Sequence, residues 1–318
     1  MITEKTKLLI DCDPGVDDSV ALLFALARED AEIVGIATGT GNTSAAQGAD
    51  NARRLLKLVG KDHEIPVCIG AEQPLVGEHG DFPAFIHGDN GLGNITLPES
   101  DAPFDERDVC DFLYEIASEH AGEVVLITLG RFTNIANTIK KYPDFPKKVK
   151  RVVAMGGSVG LGGNVAPQVE ANIEGDPEAA DIAVLQDWDM TMVGLDVTLK
   201  THLTRADVDR LLTCCAEEKR PSVEYISKAL VHYMDGSRRM NRTMGYCPLH
   251  DPLAMITALD PSVVMMRKLV TRIECGGTYN RGRVVVDLRE VPIEGRFVAH
   301  CLEVDTQRAL NALFAAFQ

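Results

Sequence analysis

Four aspartates fall within eight residues near the start of the chain: Asp11, Asp13, Asp17 and Asp18, in the run Leu8-Leu9-Ile10-Asp11-Cys12-Asp13-Pro14-Gly15-Val16-Asp17-Asp18-Ser19. Lys7 to Ile10 reads as a buried strand, Pro14-Gly15 as a turn, and Asp17 onward as a helix whose apolar positions Val20, Leu23, Phe24 and Ala27 recur at helical spacing. Carboxylates this close repel one another, so a fold keeps them where something neutralises them, and a hard cation is the simplest candidate. The pattern gathers them at the carboxyl end of a strand beside a helix N-terminus. Open α/β sheets bind ligands in that crevice.

The rest of the chain continues the alternation. Ile33 to Ala37, Val124 to Leu129, Val152 to Met155 and Met190 to Gly194 are strand-like, and helical patterns run over Ala45 to Val59, Asp108 to His120 and Thr133 to Lys141. A further helix opens at Asp176-Pro177-Glu178, with Asp as cap and Pro in the first turn. These are successive βαβ units, so the expected fold is α/β: a single large domain over residues 1–318 with a mostly parallel mixed sheet flanked by helices. A helical region spans about Thr204 to Leu259, followed by strands at Lys268 to Cys275, Arg283 to Leu288 and His300 to Glu303 and a closing helix, Thr306 to Phe317. Long Gly-rich or polar segments, Gly70 to Pro103 and Met155 to Gly175, fall at strand ends, where they would surround one crevice.

Composition narrows the function classes. A net charge of -15 argues against nucleic acid or an anionic membrane as partner, because phosphate contacts need clustered Lys and Arg. No apolar run reaches membrane-spanning length and the N-terminal residues lack a secretory apolar region, so a cytoplasmic protein is expected. The eight cysteines show no Cys-x-x-Cys spacing and read as reduced thiols.

A second acidic element is His250-Asp251-Pro252-Leu253-Ala254, where Asp251 before Pro suits a helix cap as readily as a metal ligand. The loop from Met155 to Asn164 is Gly-rich but lacks the Lys-Ser/Thr ending of a nucleotide-binding loop, and it leads to Glu170-Ala171-Asn172, acid and amide groups suited to hydroxyls. Taken in order, Asp11-x-Asp13-Pro-Gly-x-Asp17-Asp18, Gly41-Asn42, His87-Gly-Asp-Asn-Gly-Leu, Leu129-Gly-Arg-Phe-Thr133-Asn-Ile-Ala, Met155-Gly-Gly with Asn164, Glu170-Ala-Asn172 and His250-Asp251-Pro-Leu-Ala resemble the nucleoside hydrolase family, the inosine-uridine preferring nucleoside N-ribohydrolases. The resemblance runs from about Leu8 to the C-terminal helix.

It implies calcium-dependent hydrolysis of the N-glycosidic bond of ribonucleosides. Asp13, Asp18, Asp251 and the Thr133 carbonyl would be the calcium ligands, with Asp11 as support. Asp17 and Asn172 would hold the ribose secondary hydroxyls, Asn164 and Glu170 the 5′-hydroxyl, and Asn42 would orient Asp13. Asp13 would be the general base toward a cation-activated water, His250 the main candidate general acid and His87 a second imidazole near the base. The family also implies a homodimer or homotetramer. Tyr233 and Arg238 are the candidate base contacts, in a segment with unusually dense cations, Arg238, Arg239 and Arg242.

Some positions depart from the family pattern: Arg131-Phe132 stands where Pro-Leu is usual, and Ala171 where an aromatic is usual. His250 stands where purine-specific relatives carry Trp, which favours a pyrimidine or broad base preference. Competing readings are a non-catalytic nucleoside- or calcium-binding protein, a hydrolase of an atypical N-riboside, and a haloacid dehalogenase-like phosphatase, whose Asp-x-Asp motif is not followed by Pro14-Gly15 and a second aspartate pair.

Overall fold

A computed structural model describes residues 5–240, 245–292 and 294–318. Strand β1 (Thr6–Cys12) leads into α1 (Val16–Ala27), β2 (Ala31–Thr38) into α2 (Ala45–Leu58), and β3 (Val67–Ile69) into α3 (Ala84–His87) and α4 (Val109–Glu119). The alternation continues through β4 (Val125–Thr128), α5 (Thr133–Lys141), β5 (Arg151–Met155), α6 (Ala171–Gly175), α7 (Pro177–Val184), β6 (Met190–Val193) and α8 (Leu195–Thr198). Next come β7 (His202–Leu203), α9 (Arg205–Cys214), α10 (Arg220–Met240), β8 (Cys247–Pro248) and α11 (His250–Leu259). The chain closes with β9 (Val264–Ile273), β10 (Val284–Asp287), β11 (Arg296–Val304) and α12 (Thr306–Ala316).

Nine strands make one sheet in the order β10-β9-β11-β6-β5-β4-β1-β2-β3, and β7 and β8 form a separate antiparallel pair. The six strands from β6 to β3 are parallel, β11 joins β6 in parallel, and β9 is antiparallel to both β10 and β11. Consecutive strands run outward from β1 on one side and from β4 on the other. The winding direction therefore reverses between β1 and β4, the place where open α/β sheets leave a ligand crevice.

Alternation along β1 builds the two faces. Leu8, Ile10 and Cys12 join one apolar cluster with residues of α1, α2, α10, α11 and α12, while Leu9 joins another with α4, α5 and α7. The result is a single α/β/α domain, as the sequence pattern predicts. Four details differ from the sequence reading. β3 is only three residues long and offers no periodicity; its pairing to β2 through Ile36, Ala37 and Thr38 makes it a strand. α3 lies within the stretch read as one long loop, and the helical region from Thr204 to Leu259 consists of α9, α10 and α11 with the short β8 strand before α11. β9 starts four residues before Lys268, because pairing to β11 holds Met265 and Met266 extended although both are exposed. Among the described residues no helix is long and apolar enough to cross a membrane, and all eight cysteines are unpaired thiols.

Candidate active site

The aspartate run occupies the β1–α1 turn at the reversal point, and each carboxylate has a different environment. Asp11 accepts a hydrogen bond from Asn134 Nδ2 (2.7 Å), whose amide also donates to the Thr38 carbonyl and accepts from the Ala71 amide. That ties β1, β2 and the segment after β3 together beneath the site. Asn134 carries no role in the sequence reading, although it lies inside one of the family motifs. Asp13 accepts from the Asn42 amide through Oδ2 (2.7 Å), while its buried Oδ1 has no hydrogen-bond partner among the described residues. Two glycines wall it in: a Cβ on Gly41 would fall 1.8 Å from Oδ2 and one on Gly130 2.5 Å from Oδ1.

Asp18 closes the first turn of α1. Its oxygens accept from the amides of Asp13 (3.2 Å) and Gly15 (3.0 Å) and from Asn42 Nδ2 (2.9 Å). Asp17 is also buried, with Oδ1 unpartnered among the described residues and 3.8 Å from His87 Nδ1. Asp251 reaches the same place from the opposite direction. It is the second residue of α11, after the cap position Leu249, so it does not cap the helix; its side chain shares a hydrogen bond with Asp18. α1 and α11 thus aim their N-terminal turns at one point, and their dipoles favour negative charge there.

Asp17, Asp18 and Asp251 each place a carboxylate oxygen within 4.8 Å of the other two. Asp13 stands beside this group and bonds Asp18 through its backbone amide, outside the 4.8 Å grouping. Burial raises the affinity of all these carboxyls for protons, and their mutual repulsion adds to it: Asp17 is pushed up to about 8 by burial and by Asp18, and Asp13 and Asp251 rise well above the usual carboxylate range for the same reasons. Asp11 rises to about 7 through burial alone, opposed by Asn134. A divalent cation reverses each of these penalties, and a donor set of oxygens alone suits a hard cation. The unpartnered oxygens of Asp13 and Asp17 and the glycine-walled cradle fit such an ion.

Above the acids lies a cavity of about 490 Å³. Asn42, His87 and His250 form the part nearest the carboxylates; Pro83, Phe85, Tyr233, Ser237, Tyr246 and Pro248 line one end, and Gly163, Asn164, Val165 and Ala171 the other. His87 Nδ1 accepts from the Val16 amide (3.1 Å), so the ring proton sits on Nε2, and the edge of the ring meets Tyr233 with centroids 5.7 Å apart. His250 Nδ1 lies 2.9 Å from Thr198 Oγ1. Burial lowers both imidazoles, His87 to about 3 with His250 and His232 contributing, His250 to about 4. Both rings are neutral at pH 7.

The remaining candidates divide. Asn164 Oδ1 accepts from the Ala171 amide, and Glu170 caps α6, its two oxygens accepting from the amides of Asn172, Gly157 and Ile173. Asn172 Nδ2 donates to the Leu129 carbonyl (2.5 Å) and to the Met155 carbonyl. Thr133 opens α5, and its hydroxyl donates to Asp176 (2.7 Å), itself the cap of α7. The carbonyl that the fold brings beside Asn172, next to the Gly130 that touches Asp13, is that of Leu129. No residue-type signal marks a backbone oxygen, so the sequence reading had no access to it. Arg238 is exposed and does not line the cavity, its guanidinium lying against Gly245 instead; Arg239 is exposed too, and Arg242 lies outside the described residues.

The profile of the inosine-uridine preferring nucleoside hydrolases matches residues 8–311. The chain belongs to that family. Uridine nucleosidase 1 of Arabidopsis thaliana is 37% identical over 271 residues, which span 85% of this chain and 79% of the plant protein. A pyrimidine-specific ribonucleoside hydrolase of Salmonella gallinarum is 32% identical over 98% of both chains. Among solved structures, a plant nucleoside hydrolase superposes with a TM-score of 0.91 and a purine-preferring ribonucleoside hydrolase from Gardnerella vaginalis with 0.90, each 31% identical and covering 98% of both chains. The protein is therefore an enzyme of the nucleoside hydrolase family, with an acidic centre able to hold a metal ion.

Proposed function

We propose that the protein hydrolyses the N-glycosidic bond of ribonucleosides, releasing ribose and the free base, in a calcium-dependent reaction with a pyrimidine or broad base preference. The observation that carries this reading is Asp13: one oxygen fixed by Asn42, the other buried and unpartnered, beside a cluster of buried carboxylates whose repulsion a cation relieves.

Asp13, Asp18 and Asp251 would hold the calcium, with Asp17 close enough to share in it or to take a ribose hydroxyl through its free oxygen. The Thr133 carbonyl is the expected backbone ligand, and the Leu129 carbonyl, which accepts from Asn172 and precedes the Gly130 that packs on Asp13, is a second candidate. When bound, calcium supplies Lewis-acid activation of a water molecule. Asp13 Oδ1 accepts the proton lost from the attacking water. Asp17 and Asn172 grip the ribose diol, and Asn164, beside the Glu170 cap, takes the 5′-hydroxyl, which orients C1′. The glycosidic bond breaks with its electron pair leaving on the base. Tyr233, with Phe85 and Tyr246, offers aromatic surface to that base. His87 donates through Nε2–H as a neutral ring, because Nδ1 is committed to Val16. His250 sits at the same wall as the general acid; its imidazolium is a minor form at pH 7 until charge building on the base raises its proton affinity.

A pyrimidine or broad preference is supported by the names of the sequence relatives and by His250 in the cavity wall, while the purine-preferring neighbour has an equally similar fold. The same reading takes the protein as a homodimer or homotetramer, which light scattering measures. The deciding assay incubates the protein with uridine, cytidine, inosine and adenosine, with and without chelator, and follows reducing sugar. Calcium-dependent release of ribose is expected, and Asp13→Ala should lower kcat by at least about a hundredfold, the scale of general-base catalysis. Binding of nucleoside without release would instead identify a sensor.

A further inference from the structure

The two ends of the cavity are chemically unlike, and the sheet order says which end faces which part of a nucleoside. Asp13 and Asp18 follow β1. Phe85, Ile86 and His87 come after β3, on one side of β1, whereas Gly163, Asn164, Val165 and Ala171 come after β5, on the other. A base needs an aromatic, apolar wall, which exists only at the Phe85–Tyr233–Tyr246 end. In a ribonucleoside the base and C5′ leave the sugar ring from the two carbons flanking the ring oxygen. With the diol on the acids and the base at the aromatic end, C5′ therefore points toward Asn164 and Ala171.

That end is unusually open. Its side chains are a hydrogen, an amide, an isopropyl group and a methyl. Ala171 is only partly buried, Val165 is 53% exposed, and Glu170, buried and outside the cavity lining, accepts from three backbone amides. Asn164 is thus the one side-chain polar group lining this end, with its Oδ1 already engaged by the Ala171 amide. Charge limits what the space accepts. The described lining holds no Lys or Arg, and the carboxylate cluster lies directly behind. A 5′-phosphate would meet no cation and a negative field.

Resting on the hydrolase reading above, we propose that this end of the cavity is a subsite for an uncharged, apolar 5′ substituent, so that the enzyme cleaves ribosides whose 5′-hydroxyl is replaced by a small alkyl or alkylthio group, with Ala171 as the specificity-determining residue. The substituent lies over Ala171 and Val165 in place of water. Asn164 Nδ2, the donor that would meet a 5′-hydroxyl, belongs to a half-buried side chain beside the exposed Val165 and can turn to water when that hydroxyl is absent, so the penalty for omitting it is small.

The test compares kcat/KM for uridine, 5′-deoxyuridine, 5′-deoxy-5′-methylthiouridine and uridine 5′-monophosphate with the calcium-loaded wild type and with Ala171→Val and Ala171→Phe. The methylthio compound should be cleaved within about tenfold of uridine and the monophosphate at least about a hundredfold more slowly. Ala171→Phe should reduce the methylthio-to-uridine ratio of kcat/KM about tenfold or more, with Ala171→Val between it and wild type, the usual scale for filling an apolar subsite. If the wild type cleaves uridine but discriminates against the methylthio compound by more than a hundredfold, or if the ratio is the same in all three proteins, the subsite is absent while the hydrolase reading stands. If no riboside is cleaved, the hydrolase reading falls and the subsite with it. Wild-type rates decide the first outcome even where the Phe variant does not fold.

Discussion

Asp18 shows how much one residue is asked to do. It closes the first turn of α1 by accepting from Gly15, fixes the β1–α1 turn through the Asp13 amide, orients Asn42, and still shares a hydrogen bond with Asp251. Asp251 has fewer ties, and so it separates the metal role from the scaffold role. In metal-free protein its carboxyl is pushed well above the usual range by burial and by Asp17, Asp18 and Asp13, so it destabilises the folded state at neutral pH. Asp251→Asn keeps the shape and removes that repulsion. It should stabilise the chelated protein, raising its urea midpoint, and weaken calcium binding by at least about tenfold, because ligand charge sets affinity at oxygen sites. Urea denaturation in chelator and calcium titration calorimetry read the two effects. A variant less stable than wild type in chelator would mean that Asp251 serves packing more than charge.

Among the elements, α3 is the most consequential short one, four residues that carry His87 into the site and are held there by α10. Gly236 permits the contact: a Cβ at that position would stand 2.1 Å from the Phe85 carbonyl oxygen and 3.1 Å from the Ile86 Cα. Alanine is better than glycine in a helix by about 1 kcal/mol, but a backbone carbonyl cannot swing aside as a side-chain tip can, and overpacking costs about 1–3 kcal/mol. Gly236→Ala should therefore destabilise on balance by about 1–2 kcal/mol and raise KM, because α3 moves with His87; denaturant titration and steady-state kinetics test it, and unchanged values for both would show that α3 is free to yield. The same element marks where sequence reading stops. β1, α2, α4 and α5 are legible because apolar spacing and caps such as Ser44 and Asp108 agree with the tertiary structure. α3 and β3 are too short for any period, and tertiary contact alone makes them what they are. Within the site, the carboxylates, Asn42 and His250 were legible as side-chain chemistry in recognisable motifs. The Leu129 carbonyl was not, nor the placing of Arg238, since a helix face chosen by packing decides whether a cation meets substrate or solvent.

At the scale of the whole molecule, the nine-stranded sheet fixes the strand ends from which two helix N-termini, five acids and a cavity are arranged, and it buries the acids deeply enough for their ionisation to be linked to folding. Two sets of groups oppose each other. His87, His250 and His300 are lowered by burial to between about 3 and about 4, so the folded state binds fewer protons than the unfolded one as pH falls below 6.5, and stability declines in that direction. Asp11 and Asp17 are raised to about 7 and about 8, so between the carboxylate range and those values the folded state holds more protons than the unfolded one. Their contribution is full at low pH and is lost as pH rises through 7 and 8. Comparing chelated with calcium-loaded protein from pH 6.5 to 8 isolates the acids, because the unfolded histidines, half protonated at 6.5, contribute alike to both. Across that range the chelated protein should lose roughly 0.8 kcal/mol through Asp11 and roughly 1.6 kcal/mol through Asp17, at 1.4 kcal/mol per pKa unit, whereas in calcium-loaded protein this loss should be absent because the cation keeps the acids ionised. By the same linkage calcium binding should release protons and tighten as pH rises through this window, measurable as a buffer-dependent calorimetric enthalpy. Parallel pH profiles with and without calcium would mean that the cation does not bind at these acids.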